Sequence, residues 1–224
     1  MAKPPLRNTI APNLINAPDI YGKSYTDNLN NILRLYFNTI DHVTGSLLGN
    51  TGGAYLGLPH VAASDSTDQY ADGNDDPTIV KWNTLDSGNG FTLNADNTAT
   101  ASISGVYKID YSLQLANSAN AVHDVMVWLK VDGVDVANSA SKFTTPARKS
   151  ALVPSFVVAY SSIVFELLEG QSVGLWWATD QAYNPVGPVN GVYIEDIPAQ
   201  TSPYAHPAAP SAIGSITFVS RINP

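Results

Sequence analysis

The chain has 224 residues, a formal net charge of −8 and 13% charged residues, against about 25% in an average globular protein. It contains no cysteine, which excludes disulfides and thiolate metal sites. Its eleven basic residues are scattered, with Arg148–Lys149 the only adjacent pair, so the basic footprint that nucleic-acid backbones require is missing. No apolar run reaches the roughly 18 residues needed to span a bilayer. No apolar signal core follows Met1-Ala2-Lys3-Pro4-Pro5. The expectation is a chain with no nucleic-acid partner, no membrane insertion and no secretion signal. Low charge together with abundant Asn, Ser, Thr, Ala and Gly suits proteins with large subunit interfaces, where charge is disfavoured.

Residues 1–23 carry Pro4, Pro5, Pro12 and Pro18. Each lacks an N–H and pushes its predecessor toward extended backbone, which predicts an extended arm. Alone it has too little apolar surface to fold. It is either a free tail or a segment that docks on a neighbouring subunit.

Residues 24–48 read as a helix, with Ser24 as its cap and Asp27 three residues on. Leu29, Leu33, Tyr36, Ile40, Val43 and Leu47 recur in steps of four and three, a heptad seam of about three repeats. Ile32, Leu35 and Phe37 add apolar surface outside it. An amphipathic helix packed on its own domain is one reading. A short parallel bundle with symmetry mates is preferred, because the segment sits between an extended arm and the glycine break Gly49, Gly52, Gly53, Gly57.

Residues 49–77 read as a Gly/Asp-rich linker. Asp65, Asp68, Asp72, Asp75 and Asp76 supply the ligand type calcium prefers. Their spacing does not match the twelve-residue calcium loop, so a solvated turn cluster is expected.

From residue 78 the pattern is β. Thr78–Trp82 and Thr98–Ile103 begin it. In Gly105–Leu115, Tyr107, Ile109, Tyr111, Leu113 and Leu115 share one face. Val125, Val127, Leu129 and Val131 form the next stripe, closed by an Asp132-Gly133 turn, with Trp128 on the opposite face. Ser155–Tyr160 and Ile163–Leu168 read as two further runs, then Val173–Ala178 and Gly214–Ile222. Trp176 and Trp177 are adjacent, so in a regular strand they point to opposite faces. The stretch 184–210, with six prolines, is a long excursion of the kind that usually carries function or an interface. Eight to ten strands separated by Asn, Asp, Gly and Pro turns predict a mainly β chain: an antiparallel sandwich or jelly roll over 78–224.

Nothing in the sequence assembles a catalytic site. There is no Gly-x-Ser-x-Gly elbow and no phosphate loop. His42, His60, His123 and His206 have no zinc-site spacing, and His123-Asp124 lacks a third ligand. Glu166 with Glu169, and Glu195 with Asp196, are not selected as a carboxylate pair roughly 5–10 Å apart in a cleft. No cofactor is expected.

Gly105-Val106-Tyr107-Lys108-Ile109-Asp110-Tyr111 resembles the Gly-x-Tyr-x-Phe-x-Tyr strand of the complement-collagen globular head and tumour necrosis factor superfamily. Phe165–Val173 resembles its Leu-x-Leu-x-x-Gly-Asp-x-Val hairpin, with Gln171 in place of the acidic residue, and Ile216–Ile222 resembles its last strand. This resemblance implies a ten-stranded jelly roll. It also implies side-by-side packing through aromatic faces, for which Tyr107, Tyr111, Trp128, Trp176 and Trp177 are the candidates. The alternative for some of them is simple core filling. The whole layout, with the helix Tyr25–Phe37 and the segment Val127–Ser139, resembles structural proteins of tailed bacteriophages, especially marine and cyanobacterial ones. That implies a virion component, commonly a homotrimer, whose N-terminal residues 1–48 contact other virion proteins through the arm and trimerising helix. The jelly roll would then contact a host-surface glycan or protein. A capsid decoration or cement protein, and a cellular lectin-like adhesion module, are the alternatives.

Overall fold

The computed structural model describes residues 12–14, 22–48, 57–151, 153–187, 190–202 and 204–222. The arm expected over 1–23 and the glycine break at 49–56 therefore lie almost entirely outside the described residues. The chain divides into two compact units, Met1–Gly57 and Leu58–Pro224.

Among the described residues the first unit contains one helix, α1 (Lys23–Leu48). It begins one residue earlier than expected, and Ser24 lies inside it. The Gly22 carbonyl accepts the first turn's bonds from the N–H groups of Tyr25 (3.1 Å) and Thr26 (3.4 Å). Gly22 is thus the cap, a position glycine fills almost as well as serine.

The second unit is a β-sandwich with thirteen strands among its described residues: β1 (His60–Asp65), β2 (Thr78–Ile79), β3 (Thr84–Asn89), β4 (Phe91–Leu93), β5 (Ala99–Ala101), β6 (Gly105–Asn117), β7 (His123–Val131), β8 (Val134–Asp135), β9 (Ser141–Thr145), β10 (Ser155–Leu167), β11 (Ser172–Thr179), β12 (Val192–Ile194) and β13 (Ala212–Ser220). One sheet has the order β10-β6-β13-β1-β3, with β12 also on β6. The other runs β4-β5-β11-β7-β8, with β2 on β11 and β9 on β7. Every pairing between named strands is antiparallel. The last strand lies between β1 and β6, and β11 lies between β5 and β7. This interleaving of early and late strands across two sheets is the jelly-roll arrangement.

The inward faces are those the alternation predicts. Tyr107, Ile109, Tyr111, Leu113 and Leu115 of β6 share one core with Val125, Val127 and Leu129 of β7 and Val173, Leu175 and Trp177 of β11. At one end Tyr107 packs edge-on against Phe91 (centroids 5.1 Å) and Phe218 (5.6 Å), and its hydroxyl donates to the Ile103 carbonyl at 2.7 Å. The Asp132-Gly133 turn has φ of 49° and 80°, the two left-handed residues that match a two-residue turn to strand twist.

Two boundaries differ from the sequence reading. The linker expected over 49–77 contains β1, paired on both sides, so the sandwich starts at His60 and not at residue 78. Its inward residues are Val61, Ala63 and Asp65, too small and polar a set to announce a strand. The runs 155–160 and 163–168 are one strand: Ser161 and Ser162 look like a turn but continue the ladder opposite Tyr111 and Asp110.

Candidate functional site

Strands β1, β6 and β11 end, and β7, β10 and β13 begin, at one end of the sandwich. There the acidic stretch 65–76 and the proline-rich excursion 184–210, which stand apart in the sequence, are bonded into one assembly together with the flanking residues 180–183. Buried Gln69 is its staple. Its backbone exchanges hydrogen bonds with Ile194 (2.8 and 3.0 Å), while its side-chain amide accepts from the Lys81 N–H (2.8 Å) and donates to the Lys81 carbonyl (3.1 Å). Asn74 Oδ1 accepts the Ala182 N–H at 2.8 Å, the Asp75 N–H donates to Thr179 O at 2.8 Å, and the Asp196 N–H donates to Asp68 Oδ1 at 2.9 Å. The backbones run so close that a Cβ on Gly191 would meet the Ala182 carbonyl at 2.5 Å, so no larger residue fits there. Further out, Ile197 pairs with Ala209 and Gln200 with His206, so much of the proline-rich stretch doubles back on itself.

On this scaffold three tyrosines meet. β12 turns Val192 and Ile194 into the core, which leaves Tyr193 facing outward. Tyr193 lies 4.8 Å from Tyr183 and 5.9 Å from Tyr70, and Tyr70 and Tyr183 are 5.6 Å apart between centroids. Carboxylates surround the rings. The Tyr70 hydroxyl donates to Asp68 Oδ2 at 3.2 Å, and Glu195 stands beside the Tyr193 hydroxyl. In front of Tyr70 and Tyr183 opens a cleft of about 510 Å³, also lined by Asp68, Asp72, Asn74, Lys81 and Asn184.

The electrostatics follow from partial burial beside like charge. Burial first, then the charge of Asp68, pushes the Glu195 carboxyl above its ordinary value; Asp196 is raised by burial, then Asp68 and Asp65. Burial raises the Tyr193 phenol strongly, with Glu195 adding to it, and Tyr70 rises through burial and then Asp68. A carboxyl whose folded pKa is raised binds more protons folded than unfolded. Its contribution to stability is therefore fully present below the unfolded value near 4 and is lost as pH rises through the folded value. Glu195→Gln keeps an acceptor for the Tyr193 hydroxyl and removes the charge. It should melt above the parent at pH near neutral, with the gap closing as pH falls toward 4. Thermal melts of both proteins across that range check this, and a lower Tm for the variant at neutral pH would contradict it.

Of the residues singled out from sequence, Asp68 and Asp72 line this cleft and Glu195 and Asp196 stand beside it, while the aromatic and histidine candidates lie elsewhere. Tyr107, Tyr111 and Trp177 are in the core. Trp128 and Trp176 are half-buried register partners on the outer face of the second sheet, where Lys130 Nζ lies 4.5 Å from the Trp176 ring and Trp128 Nε1 donates to Asp135 at 2.7 Å. His123 Nδ1 is 3.1 Å from Asp180 and Asp124 pairs with Lys142 at 2.7 Å. Among the described residues no three acidic or histidine side chains converge as a metal site would require. The loop tyrosines were missed because strand aromatics drew attention. The available signal was the opposite one: Tyr70 amid aspartates, and Tyr183 and Tyr193 flanking a Pro-Gly turn, lie where no core needs them.

No family model and no curated protein sequence matches the chain. Among solved structures, it is similar to the Eiger TNF of S. frugiperda (10% identity, 75% of this chain and 98% of that one, TM-score 0.46) and to the globular domain of zebrafish complement 1qA (14% identity, 73% and 99%, TM-score 0.42). The strand order itself assigns the architecture.

Proposed function

We propose that the chain is a non-enzymatic, homotrimeric structural module of a tailed-phage virion, a fibre- or spike-like appendage. Its N-terminal segment anchors and trimerises it, and its jelly roll makes host-surface contacts. The observation that carries the self-association is helix α1. It has 26 residues, and none of its described side chains is buried. Leu29, Leu33, Tyr36, Ile40 and Val43 are half-exposed and Leu47 is exposed, while Leu35 and Phe37 are each 57% exposed. At about 100° per residue the six seam positions fall within roughly 80° of one another, the narrow stripe of a helix that packs on copies of itself. The phage assignment rests on the resemblance of Tyr25–Phe37 and Val127–Ser139, and on the low charge of the chain.

The sandwich carries a second exposed apolar surface. β10 is a thirteen-residue edge strand whose outward residues include Phe156, Val158, Tyr160 and Val164, all exposed. Long apolar edges of this kind are normally covered or charged, because they template association. Placing side by side copies against this edge gives it a cover. Val158→Lys with Val164→Lys should weaken association, measured as a rise of roughly tenfold or more in the concentration at which the oligomer dissociates, with no loss of Tm in the dissociated chain. Unchanged association would remove β10 from the interface.

Light scattering tests the reading as a whole. A mass near three times 23.8 kDa is expected, and a monomer would overturn it. Labelled protein should then bind host cells; binding instead to undecorated capsids would move the role from appendage to shell.

A further inference from the structure

We propose that the cleft in front of Tyr70 and Tyr183 is a binding site for a neutral pyranose sugar, with a ring face against the tyrosines and hydroxyls held by Asp72, Asn74 and Asn184. This deepens the host-surface part of the proposed function. Its volume of about 510 Å³ lies within the roughly 300–1,000 Å³ of small-ligand sites.

The groups facing the cleft fit polyhydroxyl chemistry. A sugar hydroxyl donates and accepts at once, so its site needs donors and acceptors side by side. The Asp72 carboxylate is an acceptor and the Lys81 ammonium a donor, and neither side-chain head group has a hydrogen-bond or ion-pair partner among the described residues. The two asparagines are held in place by their carbonyl oxygens. Asn74 Oδ1 accepts from Ala182 N–H, and Asn184 Oδ1 accepts from the N–H groups of Val186 (3.0 Å) and Gly187 (3.1 Å). Each therefore keeps its Nδ2 donors for a ligand without losing its orientation. The tyrosine rings give the apolar C–H face of a pyranose a surface to lie on.

The charge chooses among ligand classes. Asp68 and Asp72 outnumber Lys81 in the lining, which disfavours an anionic sugar. Against a cationic ligand stands the Lys81 ammonium in the same lining, while the Asp68 oxygens already accept from the Tyr70 hydroxyl and the Asp196 N–H and leave Asp72 as the one carboxylate there without a hydrogen-bond partner among the described residues. Within the sandwich, the cleft is at the end opposite the first residue of β1, where the chain enters the fold.

Saturation-transfer NMR on the full chain tests this with methyl glucoside, methyl galactoside, methyl mannoside, glucuronate and tetramethylammonium as probes. Expected is saturable binding of at least one neutral methyl pyranoside, weakened roughly tenfold or more by Tyr183→Ala. Asn184→Asp should weaken it as well, since it keeps the turn-capping oxygen, loses the amide donor and adds a carboxylate charge beside Asp68 and Asp72. Binding of none of the three neutral pyranosides overturns the proposal. So does binding that both variants leave intact, or glucuronate or tetramethylammonium binding with the same dependence on the variants. Light scattering on the same sample separates the two ideas: a trimer that binds no pyranoside sinks the sugar site alone, and a monomer that binds one sinks the trimer alone.

Discussion

Replacing Leu33 and Ile40 together by Asp is expected to bring the solution mass from near three times 23.8 kDa down to 23.8 kDa, while the sandwich melts where the parent does. Both residues lie at the same heptad position, two turns apart, on the half-exposed apolar stripe of the helix. In a symmetric bundle each substitution places one carboxylate per chain around the axis, facing its copies. Moving a carboxylate from water into an apolar seam costs on the order of several kcal/mol, and mutual repulsion adds to it. A bundle of about three heptads has little reserve against such a cost. The melting transition is the control. Residues 58–224 form a compact unit with their own core, so at a dilution where the parent is also dissociated two charges on the helix have no reason to lower its Tm. A lower mass at constant Tm assigns the seam to association. An unchanged mass means that the helix is not the trimerising element, and the exposed β10 edge would have to hold the copies together alone.

How much of this was legible in the sequence depended on how far the physics is local. The β6 stripe was legible because Tyr107, Ile109, Tyr111, Leu113 and Leu115 alternate without a break and all go inward. So was the Asp132-Gly133 turn, where left-handed backbone has a residue signature. β3 was not, since all six of its residues are exposed and it has no apolar face to show. It exists because β1 offers it a ladder. The loop end was half legible. An acidic stretch and a proline-rich stretch stood out by composition, but their union depends on Gln69 meeting Ile194, a pairing across more than half the chain that only the closed sandwich brings together. A single Gln in a polar loop announces nothing; burial in the closed fold is what makes it a staple.

The adjacent tryptophans give the largest expected effect on stability. Trp177→Ala should cost about 3–5 kcal/mol, a fall in Tm of roughly 6–20 °C in a domain of this size. Trp177 is fully buried between the sheets, and truncating it leaves a void that the flanking Val127 and Leu175 cannot fill without moving strands. Its indole N–H has no hydrogen-bond partner among the described residues, a penalty the substitution removes, which holds the loss toward the lower end of that range. Trp176→Ala should cost about 1 kcal/mol, because its ring is half-exposed on the outer face and its main partner is the Lys130 ammonium at 4.5 Å. Denaturant melts of the two single variants decide the matter, and the quantity to read is their difference. Neighbours in sequence with the same chemistry should differ by several-fold in effect, for the sole reason that successive side chains of β11 point to opposite faces. Similar losses at both positions would mean that Trp176 is also covered, which no described residue does fully, and would point to another copy of the chain or a partner on the second sheet's outer face.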